Sequence, residues 1–356
     1  MILSIVKVIL PATLAFIVGI LITPMVAGFL YKHKMWKKTA GKVDTAGNDT
    51  PIFNELHKNK EINTPRMGGV VIWLSALIVI GVIWLLSIVI GGEILVKLDF
   101  LSRNQTWIPV AAMLIGALVG LLDDYLEIRR SEKGISKGLS SKKRLMIVGT
   151  IALLVASWFF FKLSVTGFNI PFDGMLNIGW LIIPLFIFVT LVIYAGGVID
   201  GLDGLSGGVF AVIFSAYTII TFSLGQVDLA AFCAVLVGAI LAFLWFNIPP
   251  ARFYMSETGS MALTVVLAIV AFMTDSLGGG IGLFVLPIIA FPLIATAFSS
   301  FIQIASKRYR GKKIFLSAPL HHHFEAMGWP ACKVTMRYWI ISMVFAGVGI
   351  VIALVG

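Results

Sequence analysis

Apolar residues run through this chain in long uninterrupted blocks, separated by short segments that hold almost all of its charge. Ten blocks are apolar enough to cross a bilayer, at about 2–31, 67–92, 107–126, 145–163, 178–198, 205–224, 228–246, 259–275, 280–305 and 338–355. A spanning helix needs ~20 such residues, and a helix satisfies its own backbone in lipid. The pattern therefore predicts an all-α integral membrane protein with ten transmembrane helices, one domain over 1–356. The first block, Ile2 to Tyr31, is too long for the core of a signal peptide. It has Lys7 alone ahead of it and no small-residue cleavage site, so it is expected to be a true span. Between the fourth and fifth blocks, "SVTGFNIPFDGMLNIG" alternates apolar and polar residues and predicts a small β-hairpin.

Composition agrees: 59% of residues are hydrophobic and 12% charged. The net charge of +10 would fit a nucleic-acid binder, but the placement of the charges gives another reason for it. Segments 32–66, 123–144, 247–258 and 306–337 hold 8, 7, 1 and 7 Lys/Arg, or 23 of the 27. With the short loop 199–204 they are alternate loops, all on one side. The positive-inside rule makes that side cytoplasmic and both termini external, so no nucleic-acid partner is needed. Two cysteines, Cys233 in an apolar block and Cys332 in a basic segment, argue against a disulfide framework.

Carboxylates are costly in a membrane protein and hence informative. Glu93, Asp99, Asp173, Asp228 and Asp275 lie in or beside short external loops, where an interfacial acid is ordinary. The others lie at cytoplasmic helix ends. "LVGLLDDYLEIRR" puts Asp123 and Asp124 at the end of the third span. "YAGGVIDGLDGLSGG" puts Asp200 and Asp203 among glycines between the fifth and sixth. "WFNIPPARFYMSETGS" adds Asn247 and Glu257. On a helical turn Asp200 and Asp203 would share a face, while Asp123 and Asp124 would point about 100° apart. Every span centre is free of charge, whereas an ion-coupled transporter would carry ionisable groups near the midplane. Acids flanked by Arg144, Lys142, Lys143, Lys312 and Lys313 fit Mg²⁺ on an anionic substrate, and so phosphoryl transfer. Histidines cluster in "SAPLHHHFEAMGWP", more than thirty residues from the C-terminus, where an affinity tag would not sit. Such a cluster binds metal, grips phosphate, or lies idle in a loop.

Six stretches together resemble the bacterial phospho-N-acetylmuramoyl-pentapeptide transferases, a branch of the polyprenyl-phosphate N-acetylhexosamine-1-phosphate transferases. They are "NTPRMGG", "LLDDYLEI", "KGLSSKKRL", "IDGLDGLSGG", "FLWFNIPPARFYMSETGS" and "APLHHHFEAMGW", in the family's order. The resemblance implies transfer of phospho-MurNAc-pentapeptide from UDP-MurNAc-pentapeptide to undecaprenyl phosphate. The products are lipid I and UMP, for peptidoglycan synthesis, with Mg²⁺, in a homodimer of the bacterial inner membrane. It implies catalytic roles for Asp123, Asp124, Asp200, Glu257, His321, His322 and His323, with Glu257 and Asp200 holding metal. Gly201, Leu202, Asp203, Asn247, Tyr254, Arg144, Lys60 and Arg66 would bind substrate.

Five positions depart from the family's pattern. Glu257 stands for its metal-binding aspartate, after Ser256 in place of glycine, and Gly197 stands for an asparagine. Arg66 replaces a small hydroxyl residue, Glu127 a lysine, and Arg144 a lysine. These departures leave three readings: a divergent enzyme, a related transferase using UDP-GlcNAc or a similar sugar, or a nucleotide- or lipid-binding paralogue without turnover. All require the acids and the imidazole triplet to converge on one pocket at the inner leaflet's edge.

Overall fold

In the computed structural model of the protein, residues 1–38, 63–102, 105–131 and 138–356 are described. Their helices are α1 (Ile2–Lys32), α2 (Val70–Val89), the short α3 (Glu93–Leu98), α4 (Trp107–Ser131) and α5 (Ser141–Leu163). An antiparallel hairpin follows, β1 (Gly167–Ile170) and β2 (Gly174–Asn177), with Gly167 opposite Asn177. The rest comprises α6 (Ile182–Gly196), α7 (Leu205–Ser223), α8 (Val227–Asn247), α9 (Ser256–Ser276), α10 (Gly282–Ile289), α11 (Phe291–Arg310), α12 (Leu320–Ala326) and α13 (Ala331–Val355). Among the described residues nine helical segments are long and apolar enough to cross a membrane.

The expected single span at 280–305 is instead two helices, α10 and α11, bent by 68° at their junction. If that pair is one span, the total is ten. Pro287 lies inside α10 and Pro292 in the first turn of α11. Pro292 suits the first turn of α11, where backbone donors are unpaired in any case, whereas Pro287 removes one donor within α10.

The bundle is layered by burial. Helix α9 is buried along 94% of its apolar stretch, against 22% for α1 and 28% for α13. On α1 the buried positions Val8, Pro11, Ala15, Gly19, Thr23 and Ala27 form a narrow, mostly small-residue stripe. Small side chains let helix backbones approach where lipid offers no hydrophobic drive to associate. The opposite face, with Ile9, Leu10, Ile17 and Leu21, is exposed as a lipid-facing surface should be.

The expected hairpin is present, and it corrects the reading of Asp275. That residue is not an ordinary interfacial acid, because it is buried at the end of α9. Its Oδ1 accepts the Asn169 N–H at 2.8 Å and its Oδ2 the Leu283 N–H at 3.4 Å. One carboxylate thus ties the hairpin and the start of α10 to the central helix.

Candidate functional site

The site lies where α4, α5, α7, α8, α9 and α12 meet, at one end of the bundle. Helix α4 approaches α9 closely enough that a Cβ on Gly120 would sit 2.2 Å from the Glu257 carbonyl oxygen. The side chains one turn further along α4 therefore reach the first turn of α9. Asp124, fully buried, accepts the Thr258 N–H at 2.9 Å and the Thr258 hydroxyl at 2.6 Å. A carboxylate there satisfies orphan donors and meets the positive end of the α9 dipole. Asp123 diverges from it, accepting the Leu139 N–H and facing Arg144 Nη1 at 3.4 Å.

Arg66 is held by an extended pairing of two loops. The Tyr254 N–H donates to the Pro65 carbonyl at 2.9 Å, and the Gly68 N–H to the Tyr254 carbonyl at 2.8 Å. A Cβ on Gly69 would lie 2.3 Å from the Gly259 nitrogen, so "MGG" permits this approach. Tyr254 is half-buried beside it. The Arg66 guanidinium then lies 3.4 Å from Asp124 Oδ1 and 3.2 Å from Glu127 Oε2. Lys37, almost fully buried, pairs with Glu127 at 3.0 Å.

Four of the five departures are thus partners. The charge reversal at Glu127 is balanced by the added guanidinium of Arg66. In the same way the longer Glu257 carboxylate takes Arg144 on its Oε1, with Tyr194 donating to Oε2 at 3.4 Å. The fifth, Gly197, leaves room for a Cβ, which would meet Ser260 at 3.6 Å and Thr264 at 3.8 Å in ordinary contact. Ser256 has φ +56°, a left-handed backbone that favours glycine.

Asp200 and Asp203 do not share a helical face. A 3₁₀ turn at Gly197–Ile199 ends before them, and Gly204 at φ +76° turns the chain into α7. Asp200 accepts the Ser206 hydroxyl at 2.6 Å and the Ser256 N–H at 2.8 Å, whereas Asp203 accepts the Ala251 N–H at 3.1 Å. Leu202 is buried between them. Asn247 uses both ends of its amide internally, accepting the Gly204 N–H at 3.0 Å and donating to the Phe253 carbonyl at 2.8 Å.

The histidine triplet divides. His321 and His322, both buried in α12, close over Gly201, where a Cβ would lie 2.3 Å from His321 Nε2 and 2.9 Å from His322 Nε2. His322 Nδ1 meets Glu325 Oε2 at 2.7 Å. His323 turns away and its Nδ1 accepts the Leu316 N–H at 3.2 Å. The structure thus links Asp123, Asp124, Arg66, Arg144 and Glu257 in one group. Asp200, Gly201, His321 and His322 form a second, joined to the first through the Ser256 N–H. Lys142, Lys143, Lys312 and Lys313 are exposed, and Lys60 lies outside the described residues.

Sequence reasoning passed over Tyr194, Ser206, Thr258 and Glu325. For Glu325 a signal existed, since it stands three residues after His322 on a helix. The other three carry no local signal.

For Mg²⁺ the donor chemistry fits: Glu257 and Asp200 offer hard carboxylate oxygens, and the peptide that follows Met255 joins them through the Ser256 N–H. Magnesium uses one or two protein carboxylates and completes its shell with phosphate oxygens and water. Among the described residues no group of three or more His, Cys, Asp or Glu side chains is arranged to hold a metal ion.

The model of glycosyl transferase family 4 matches residues 106–275, from the start of α4 to Asp275. A phospho-N-acetylmuramoyl-pentapeptide-transferase of a Geobacillus species is 30% identical over 352 residues, covering 97% of each chain. One from Bartonella quintana is 34% identical, over 82% of this chain and 80% of its own, and one from Clostridium perfringens 31% identical, over 95% and 96%. With this likeness running from α1 to α13 and across every stretch that builds the site, the chain belongs to the phospho-N-acetylmuramoyl-pentapeptide-transferase family.

Proposed function

We propose that the protein transfers phospho-MurNAc-pentapeptide from UDP-MurNAc-pentapeptide to undecaprenyl phosphate in the bacterial inner membrane, acting as a homodimer with its site toward the cytoplasm. The observation that carries this reading is the unbroken set of contacts joining the α4 acids, Glu257, Asp200 and the two imidazoles at one end of the bundle. Orientation is supported by the Lys/Arg of the loops at that end.

A lipid phosphate oxygen would form a bond to the β-phosphorus of the nucleotide sugar. The bond from that phosphorus to the bridging oxygen would break, and the oxygen would leave on UMP. A phosphate monoester is already largely ionised at pH 7, so positioning and charge stabilisation outweigh base catalysis. Asp123, buried and paired with Arg144, would orient the incoming phosphate. Arg66 and Arg144 offset the charge of the diphosphate, and His321 and His322 close over it from α12. Mg²⁺ bound by Glu257 and Asp200 would supply further neutralisation of the diphosphate.

The test is release of UMP by purified protein given Mg²⁺, undecaprenyl phosphate and either UDP-MurNAc-pentapeptide or UDP-GlcNAc. Release with the first donor is expected. Asp123→Asn should cut it by about 100-fold or more, the scale of one lost charge contact at a phosphoryl-transfer centre. Release with UDP-GlcNAc alone would move the substrate, and thermal stabilisation by uridine nucleotides without any UMP release would overturn the enzymatic reading.

A further inference from the structure

The turn that carries Asp200, Gly201 and Asp203 is gripped from a helix that contributes no residue to the site. On α13 the Thr335 hydroxyl donates to the Asp203 carbonyl at 3.2 Å, and Trp339 Nε1 donates to the Gly204 carbonyl at 3.1 Å. The Gly204 N–H is taken from the other side by Asn247. Trp339 reaches this point because residue 208 is glycine: a Cβ there would lie 1.9 Å from the indole nitrogen.

The same helix holds α12. Phe324 of α12 stacks at 4.9 Å, rings 13° apart, on Trp329 of the link between the two helices, and the Arg337 guanidinium of α13 covers that Trp329 at 4.1 Å. The Tyr338 ring stands edge-on to His321 at 6.5 Å. Hence α13 is attached both to the imidazoles and to the turn whose Gly201 they cover. If either attachment slackens, the gap between the histidines and Gly201 changes.

We infer that Thr335 and Trp339 are positioning residues for the nucleotide side of the site, setting the 200–204 turn against His321 and His322. This rests on the reading that the turn receives the uridine diphosphate part of the substrate. Gly204 is buried, so a carbonyl there that loses its side-chain donor has few other partners to turn to. Removing the indole N–H therefore frees the turn without unpacking the helix.

The experiment compares the native protein with Trp339→Phe, Thr335→Val and Thr335→Ser in the UMP-release assay, and follows hydrogen exchange of the peptide spanning 197–204. Trp339→Phe and Thr335→Val should raise KM for the nucleotide sugar about tenfold, the worth of one buried hydrogen bond, and speed exchange in that peptide by a similar factor. The KM for undecaprenyl phosphate and the melting temperature should hold, and Thr335→Ser should behave as native. Unchanged nucleotide KM and exchange in both variants would overturn the inference. So would equal damage to both KM values with a lowered melting temperature that Thr335→Ser does not rescue. Native protein that releases no UMP would sink the functional reading instead, and the exchange data would still report whether the two side chains hold the turn.

Discussion

The pairing of Arg66 with Glu127 can be tested by a double-mutant cycle. At 3.2 Å, with an effective dielectric of about 20, a guanidinium–carboxylate pair gains ~5 kcal/mol of gross attraction. Desolvation offsets most of that, so the intact pair adds little net stability. Removing one partner is a different matter. Arg66→Met takes the guanidinium from fully buried Asp124 and from Glu127, which keeps its pairing with Lys37, and should cost about 3 kcal/mol, the low end for a broken buried pair. Glu127→Met should cost less, since Arg66 still faces Asp124. If the two substitutions compensate, the double variant will be more stable than the sum of the singles by about 0.5–3 kcal/mol, the coupling typical of contacting residues. The measurement is equilibrium unfolding in mixed micelles, titrated with dodecyl sulfate and followed by tryptophan fluorescence. Additivity within about 0.5 kcal/mol would refute the reasoning, because it would mean that the two side chains do not sense each other.

Two further outcomes follow from backbone geometry. Ser256→Gly should stabilise the protein by about 0.5–1 kcal/mol in the same titration, as ~1–2 kcal/mol of left-handed strain is relieved and part is returned through a looser unfolded chain. A loss of stability would show that the Ser256 side chain makes a contact worth more than the strain. Gly201→Ala should leave the fold intact but displace His321 by about 1 Å, lowering UMP release by roughly 100-fold. Native turnover in Gly201→Ala would mean that the imidazole closure is not needed.

How much of this was legible beforehand varies by residue. The hairpin at Gly167–Asn177 could be read because its alternation is local. The bend between α10 and α11 was missed because the run at 280–305 is continuously apolar, and Pro287 and Pro292 break the helix without altering hydropathy. Asp200 and Asp203 would share a face on a helical turn, but the 3₁₀ turn ends at Ile199 and α7 begins only at Leu205, so neither lies on a helix. Asp275 looked ordinary because its partners, Asn169 and Leu283, are brought to it by folding.

Spans and the alternation of basic loops were set by composition along the chain, since each segment partitions into lipid on its own apolar content, whatever its neighbours are. The identity of the charge partners was not. Arg66 lies 61 residues from Glu127, and Arg144 lies 113 from Glu257. Seen singly, each was an isolated departure from the family's pattern. An ion pair depends on separations of a few ångströms between helix ends, and helix packing, through approaches such as Gly120 on Glu257 and Gly69 on Gly259, decides which ends meet.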